Sequence, residues 1–134
     1  MDFSGRYKKL NENQRRAVDT IDGPVMVIAG PGTGKTELLA MRAANILKQT
    51  DALPENILCL TFTEAGSVAM KKRLTSIIGR DAYNVSVFTF HAFGTDIMGR
   101  YREYFYNGAD FSAADDLARH RIITDILDSL PYDN

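Results

Sequence analysis

The stretch Ala29-Gly30-Pro31-Gly32-Thr33-Gly34-Lys35-Thr36 decides the fold of this chain. An apolar, β-branched run, Pro24 to Ala29, precedes it and predicts a strand buried on both faces of a parallel sheet. The segment that follows, Lys35 to Gln49, has the apolar spacing of a helix. The glycines between the two elements allow a tight turn in which successive N–H groups point at an anion. The sequence therefore predicts a phosphate-binding loop.

The residues of the loop suit the separate charges of a magnesium nucleotide. A helix that begins near Gly34 adds unpaired N–H groups and the positive end of its dipole. Lys35 supplies a point charge and Thr36 a hydroxyl for Mg²⁺, so these two are also the candidate catalytic residues. Ala29 stands where the usual pattern has glycine, and a glycine-rich turn that binds nothing is the alternative. The predicted phosphate-binding set is Ala29, Gly30, Pro31, Gly32, Thr33, Gly34, Lys35 and Thr36.

Composition is typical of one water-soluble globular domain. The chain has 134 residues, of which 45% are hydrophobic and 25% charged, so neither a disordered nor a membrane class is indicated. No apolar run approaches the length of a transmembrane helix, and the N-terminus has no signal-peptide core. The single cysteine, Cys59, lies in an apolar run and is expected to be buried. We expect a cytoplasmic protein with no membrane partner.

Charge is distributed unevenly along the chain. The net charge of −1 gives no bulk basic character that would favour nucleic acid. A basic cluster nevertheless occupies the middle of the sequence, and it consists of Lys71, Lys72, Arg73 and Arg80. Such a cluster on a helix is more often a solvated face than a phosphate contact. The sequence does not decide between these two interpretations of the basic cluster.

Two further apolar runs, Ile57 to Phe62 and Val85 to Thr89, predict strands that alternate with helices. The pattern predicts an α/β fold with a parallel sheet. Helices are expected over about 10–21, 35–49, 63–78 and 90–105, and a last helix after the capping-box spacing Ser112-Ala-Ala-Asp115. In the second helix the predicted core-facing residues are Leu39, Ala43, Ile46 and Leu47. Three strands make a small parallel sheet, so we expect an N-terminal fragment of a larger protein.

Four segments in this order resemble the N-terminal part of superfamily 1 DNA helicases of the UvrD/Rep type. Leu10-Asn11-Glu12-Asn13-Gln14-Arg15-Arg16-Ala17-Val18 resembles the adenine-recognising Q motif, and Ala29 to Thr36 resembles motif I, in which alanine at the first position is common. Leu60-Thr61-Phe62-Thr63-Glu64-Ala65 is similar to motif Ia, and Phe88-Thr89-Phe90-His91-Ala92-Phe93 resembles the T-F-H-S-F segment that follows it. The resemblance covers about residues 8–100.

The resemblance implies a P-loop NTPase of RecA-like fold that uses ATP and Mg²⁺. Residues 1–106 would be the N-terminal part of the first RecA-like ATP-binding domain, and residues 107–134 the start of an inserted helical subdomain. It implies that Gln14 contacts adenine, whose N6 and N7 edge a carboxamide can pair with. The alternative is helix capping, because Gln14 lies three residues after Asn11.

The resemblance also implies single-stranded DNA as a partner. The residues that would contact DNA are Thr61, Phe62, Thr63, Thr89, Phe90 and His91. Phe62 would stack on a base, and Thr63 would contact a backbone phosphate. The alternatives are that Phe62 is a core residue and that His91 caps and packs a helix start. A metal site at His91 is disfavoured, because His120 is the only other histidine.

Two positions depart from the family pattern. Glu64 and Ala65 replace an amide and a positive charge that the family usually carries in motif Ia, which weakens the expected hold on DNA phosphate. Glu37 follows the loop threonine where many relatives have an arginine that helps to hold the nucleotide. We keep Glu37 in the predicted nucleotide-binding set.

The predicted function is that of the ATP-binding portion of an ATP-dependent 3′ to 5′ DNA helicase. No apolar strand ends in an Asp-Glu pair, and there is no second domain to supply an arginine finger. We therefore expect the chain alone to bind nucleotide weakly without turnover, and its truncated surfaces to allow self-association. The C-terminal helix is expected to be the least ordered part or to bury its apolar stripe against another copy.

Within the helicase class, the alternative is the motor part of a helicase-nuclease of the RecB/AddA type. From other classes, the alternatives are a P-loop nucleotide-binding switch or kinase, and a DNA-binding module without ATPase activity. The segments around Phe62 and His91 favour the helicase, since a switch or kinase has no need of them.

Overall fold

Two short strands, β1 (Leu58–Thr61) and β2 (Ser86–Thr89), pair in parallel, with Leu58 opposite Ser86 and Thr61 opposite Thr89. The structure is a computed structural model that describes residues 3–30, 32–105 and 112–131. The α-helices are α1 (Phe3–Tyr7), α2 (Glu12–Asp19), α3 (Lys35–Gln49), α4 (Glu64–Ile78), α5 (Phe90–Arg100) and α6 (Asp116–Ser129). Short 3₁₀ helices occupy Pro54–Asn56, Gly79–Tyr83 and Arg102–Tyr104.

Contacts divide the chain into two compact units, Met1–Thr95 and Asp96–Asn134. The first unit contains both strands and helices α1 to α4, and α5 begins in it. The second unit contains α6, whose apolar side chains Ile123, Ile126, Leu127 and Leu130 are each about half exposed. The predicted domain boundary at 106/107 falls among residues outside the described part and stays a prediction.

Helix α3 contributes to both hydrophobic clusters of the first unit. One cluster joins its Ala40 and Ala43 to Met70 and Leu74 of α4 and to Val85. The other joins its Leu38 and Met41 to residues before the phosphate loop, namely Leu10, Ala17 and Val18. Because alanines leave little side chain between two backbones, α3 and α4 can lie close together, and the start of α3 is fixed by packing on two sides.

Polar side chains of α3 donate hydrogen bonds to carbonyl groups at the carboxyl end of α2. Asn45 is buried, and its Nδ2 donates a hydrogen bond to the carbonyl of Val18 over 3.1 Å. Arg42 donates to the carbonyls of Ala17 and Thr20. The last carbonyls of a helix have no partner within it, so these contacts satisfy them and tie α2 to α3.

The predicted strand Pro24 to Ala29 is absent from the structure. Residues 24–30 have no regular secondary structure, and Met26 and Ile28 are 86% and 91% exposed. A strand exists only when a neighbour pairs with its backbone, and among the described residues β1 and β2 pair only with each other. The sequence prediction of three strands was therefore wrong, although both other strands are confirmed within a residue or two.

Most helix predictions are confirmed, with changes at the ends. Helix α3 has the predicted bounds, and α2 begins after the predicted N-cap Asn11. The predicted helix 90–105 ends at Arg100 and is followed by a 3₁₀ turn. Asp115 itself is the N-cap of α6, because its carboxylate accepts from the N–H of Ala118 over 2.7 Å, so the capping box expected from Ser112 was wrong. Leu39 was expected in the core but is 50% exposed.

No helix in the described ranges has the length and apolar character that crossing a membrane requires.

Cys59 is a free cysteine on β1, where it is partly buried beside the core cluster of α3 and α4. Burial raises the pKa of its thiol, and the nearby Lys71 ammonium partly opposes this. A raised pKa leaves less thiolate, which is the nucleophilic form. We expect iodoacetamide at about pH 8 to alkylate Cys59 at least about tenfold more slowly in the folded chain than in urea. Mass spectrometry of timed samples measures both rates, and equal rates would contradict the placement of Cys59.

Candidate functional site

The glycine loop adopts a backbone that its glycines make possible. Gly32 and Gly34 have φ values of 72° and 78°, in the left-handed region where a side chain would be strained. Apart from the adjoining residues, no atom of the described part of the chain lies within 4 Å of the place where a Cβ of either residue would be, so the requirement for glycine comes from the backbone conformation. Pro31, which belongs to the predicted phosphate-binding set, lies outside the described residues.

The first turn of α3 has no capping side chain. Its N-cap is Gly34, whereas side chains of Asn11, Thr63 and Asp115 cap α2, α4 and α6, and Thr89 accepts from the N–H of Ala92 at the start of α5. Among the described helices of eight or more residues, α3 is thus the one whose initial N–H groups have no side-chain acceptor. An anion at this place would meet unpaired N–H groups and the positive end of the helix dipole.

Lys35 folds back over the loop. Its Nζ donates to the carbonyl of Gly30 over 2.6 Å and lies 3.4 Å from the carbonyl of Ala29. The Thr33 hydroxyl donates to the same Gly30 carbonyl over 2.7 Å. The Lys35 side chain is exposed, and its ammonium contacts only uncharged carbonyls in the described loop, so a phosphate oxygen could replace them. Thr36 is half-buried.

Gln14 joins α2 to the phosphate loop. It forms the capping box with Asn11: the Asn11 side chain accepts from the Gln14 N–H over 2.9 Å, and Gln14 Oε1 accepts from the Asn11 N–H over 3.0 Å. The remaining Nε2 lies 3.4 Å from the carbonyl of Thr33. A cavity of about 210 Å³ lies beside it, lined by Gln14, Lys35 and residues 27–30 among others. The capping interpretation of Gln14 is confirmed, and its contact with adenine stays a prediction.

Glu37 forms ion pairs with two arginines from neighbouring helices. Arg6 on α1 donates from Nη1 to Glu37 Oε1 over 2.8 Å. The Nε of Arg73 on α4 lies 3.0 Å from Glu37 Oε2, near enough for an ion pair, although the two groups are not aligned for a hydrogen bond. We call these three residues the Glu37 cluster. Its carboxylate is directed at protein cations, and a direct contact of Glu37 with nucleotide stays a prediction.

Exposed aromatic side chains follow the carboxyl ends of both strands. Phe62, directly after β1, is 85% exposed, and Phe90, directly after β2, is 59% exposed. His91 is also exposed. Parallel strands bring their carboxyl ends to the same edge of the sheet, which is where open α/β sheets bind ligands. The alternative that Phe62 is a core residue is wrong.

The threonines of this edge form hydrogen bonds within the protein. Thr63 caps α4 by accepting from the N–H of Gly66 over 3.0 Å, and the Thr61 hydroxyl lies 2.7 Å from that of Ser67. Thr89 is 5% exposed, and it donates to the Glu64 carboxylate over 3.3 Å. Its burial leaves Thr89 little surface for DNA. The aromatic residues offer far more.

The basic cluster of the sequence is divided between structural contacts. Lys71 donates to the carbonyls of Tyr83 and Val85 over 3.3 and 3.0 Å, and Arg73 belongs to the Glu37 cluster. Two of its four cations are therefore committed to holding α4 in place. Among the residues that the structure describes, no three His, Cys, Asp or Glu side chains come together as a metal site.

Comparison of the sequence with known proteins identifies the family of this chain. The family model described as the UvrD/REP helicase N-terminal domain matches residues 10–134. The chain belongs to the UvrD/REP helicase family. ATP-dependent DNA helicase PcrA of Staphylococcus epidermidis is 34% identical over 127 residues, which are 95% of this chain and 17% of that protein. DNA helicase II of Rickettsia typhi is 42% identical over 89 residues, which are 66% of this chain and 13% of that protein.

A third UvrD/REP relative, PcrA of Staphylococcus aureus, is 33% identical over 118 residues, or 88% of this chain and 16% of the relative. This UvrD/REP chain thus spans about a sixth of the length of the curated relatives that it matches.

Sequence reasoning about this UvrD/REP chain missed two contacts. One is Arg6 with Glu37, which depends on helix α1, an element that the sequence analysis did not predict. The only local signal was the aromatic pair Phe3 and Tyr7, one helical turn apart, whose rings stack at 5.8 Å. The other is Thr89 with Glu64, which joins the start of α4 to the end of β2. No short-range pattern indicates either contact.

Proposed function

We propose that this chain is the ATP-binding part of an ATP-dependent DNA helicase that moves 3′ to 5′ on single-stranded DNA. The observation that carries the proposal is the uncapped start of α3 directly after the glycine loop. The family match over residues 10–134 supports it. In this proposal the fold is a RecA-like P-loop NTPase domain.

The loop would bind the phosphates of ATP. The N–H groups of the loop and of the first turn of α3 would donate to phosphate oxygens, and Lys35 would move from the Gly30 carbonyl to a phosphate. The Thr36 hydroxyl would hold Mg²⁺, which supplies positive charge against the charge that develops on the phosphates. Gln14 would present its carboxamide to adenine while its capping box keeps the side chain oriented.

The aromatic residues at the strand ends would contact DNA. Phe62 and Phe90 offer ring faces on which bases stack, and this contact tolerates any base sequence. His91 lies beside them in the chain and would contact the same strand. The threonines would contribute less, since their hydroxyl groups already bond within the protein.

The remaining parts of the catalytic site would come from parts of the full-length protein outside this chain. These are an acidic pair for Mg²⁺ and the attacking water, and an arginine finger from a second RecA-like domain. The chain alone would therefore bind nucleotide weakly and not hydrolyse it. Self-association of the isolated chain through α6 belongs to the same proposal, supported by its half-exposed apolar side chains. So does the cytoplasmic location expected from the sequence.

The test uses the full-length protein. Single-stranded DNA should raise its rate of ATP hydrolysis, and it should unwind a duplex with a 3′ single-stranded tail in preference to one with a 5′ tail. Blunt duplex DNA is the control for strand entry. A protein whose ATP hydrolysis does not respond to single-stranded DNA, and which unwinds neither substrate, would refute the proposal.

A further inference from the structure

We propose that Glu37 is a positioning residue for nucleotide binding. As the centre of the Glu37 cluster, it fixes the first turn of α3 against α1 and α4, and that turn carries Lys35 and Thr36. The inference rests on the proposed function, because it concerns how the phosphate loop holds ATP. It assigns to Glu37 a role through its two arginines, without contact with the nucleotide.

The contacts of the cluster join three helices at one carboxylate. Arg6 of α1 reaches Glu37 Oε1 at 2.8 Å, and Arg73 of α4 reaches Oε2 at 3.0 Å. Arg6 also donates from Nη2 to the Ser76 hydroxyl of α4 over 3.0 Å, and that hydroxyl donates to the Arg73 carbonyl over 2.6 Å. The two oxygens of one side chain are therefore paired with arginines from two different helices.

The charges of the cluster are partly shielded from water. The exposed fractions of the side chains are 17% for Arg6, 24% for Glu37 and 47% for Arg73. Charges in such a setting interact more strongly than an open surface pair. Without the carboxylate, the Arg6 and Arg73 guanidinium groups would lose the negative charge that lies between them, and their repulsion would weaken the contact of α1 with α4. The carboxylate therefore adds an electrostatic contact to the core packing that holds α1 and α4 near α3.

The position of Glu37 connects this arrangement to the phosphate loop. Gly34 offers no capping side chain, so the orientation of the first turn of α3 depends on contacts made farther along the helix. Leu38 anchors the turn in the core, and Glu37 fixes its rotation about the helix axis. Arg6, Gln14, Gly34 and Glu37 also line one cavity of about 310 Å³. A shift of the Glu37 cluster would therefore change the positions of the phosphate loop and of Gln14.

The test is Glu37→Gln in the full-length protein, because glutamine keeps the shape and removes the charge. We expect Kd and KM for Mg-ATP to rise about tenfold, with kcat changed less than about threefold. Arg73→Gln should act in the same direction, and the double variant should be no worse than Glu37→Gln alone, since Glu37→Gln already removes the ion pair with Arg73. Glu55→Gln, the same change at an exposed glutamate of the 3₁₀ helix Pro54–Asn56, is the matched control and should leave Kd within about twofold.

Unchanged nucleotide affinity in Glu37→Gln, with only a lower Tm, would show a merely structural role and overturn the inference. Additive effects of Glu37→Gln and Arg73→Gln would overturn it too, because the two residues would then act separately. Since Arg73 is half-exposed, Arg73→Gln keeps the test available if Glu37→Gln does not fold. If Lys35→Ala abolishes ATP hydrolysis while Glu37→Gln leaves nucleotide affinity unchanged, this inference alone is refuted. If ATP hydrolysis survives Lys35→Ala, the proposed function is refuted.

Discussion

Replacing Lys35 with alanine in the full-length protein should lower DNA-stimulated ATP hydrolysis by at least about a hundredfold. Among the described residues, the lysine is the side-chain cation that lies on the loop carbonyls, with its Nζ 2.6 Å from the Gly30 oxygen. A point charge at this place stabilises the negative charge that develops on the transferred phosphoryl group. Alanine removes it and leaves only the dipoles of the N–H groups. Steady-state hydrolysis with saturating single-stranded DNA measures the loss.

Lys48→Ala is the matched control for this prediction. Lys48 lies at the other end of α3, where its Nζ sits 5.1 Å from the centre of the Phe3 ring. Its loss should leave hydrolysis within about twofold, because the charge lies roughly 20 Å along the helix from Lys35, beyond the distance at which salt screens exposed charges. A Tm measured for each variant separates loss of chemistry from loss of folding. A Lys35→Ala variant that hydrolyses ATP at half the normal rate would eliminate the phosphate-loop assignment.

Phe62→Ala should weaken single-stranded DNA binding about fivefold to a hundredfold while leaving ATP affinity unchanged. Stacking of a base on an aromatic ring is worth roughly 1–3 kcal/mol, which converts to that range of Kd. Because Phe62 is 85% exposed, its truncation costs little folding energy, and the effect would report on DNA alone. Fluorescence anisotropy with a labelled oligothymidine measures Kd. Stacking neutralises no phosphate, so the slope of log Kd against log salt should stay the same.

Tyr83→Ala is the control for aromatic exposure. Tyr83 is 69% exposed, yet it precedes the amino end of β2, whereas Phe62 follows the carboxyl end of β1. In a parallel sheet these positions belong to opposite edges, so Tyr83→Ala should not change DNA affinity. Equal losses in both variants would mean that DNA binds exposed aromatic rings without regard to the sheet edge. An unchanged Kd in Phe62→Ala would remove Phe62 from the DNA site.

Local patterns predicted the elements whose causes are local. The helix Lys35–Gln49 follows from its apolar spacing, and the N-cap of α2 follows from Asn11 with Gln14 three residues later. The strand predicted at 24–29 depended on a distant partner. An apolar β-branched run indicates a segment that favours burial, but it does not identify the strand that would pair with it. The strand prediction failed for that reason.

The charged residues of the candidate site show the same limit. Family resemblance marked Glu37 as a departure from an expected arginine, but the cations that neutralise it come from α1 and α4, far away in the sequence. Glu64 looked unfavourable beside DNA, whereas in the structure it accepts a hydrogen bond from Thr89 on the neighbouring strand. The role of a carboxylate depends on its neighbours in space. Patterns in a single sequence identify only neighbours within about one helical turn or one strand pair.

The uncovered segment 25–29 bears on protein quality control. Five consecutive apolar residues with two exposed at about nine-tenths are the kind of stretch that chaperones bind and that seeds intermolecular β-stacking. Pro24 and the glycine at position 30 stand at its two ends and limit the run that can stack. Replacing either residue with a β-branched one would lengthen the apolar run that can stack.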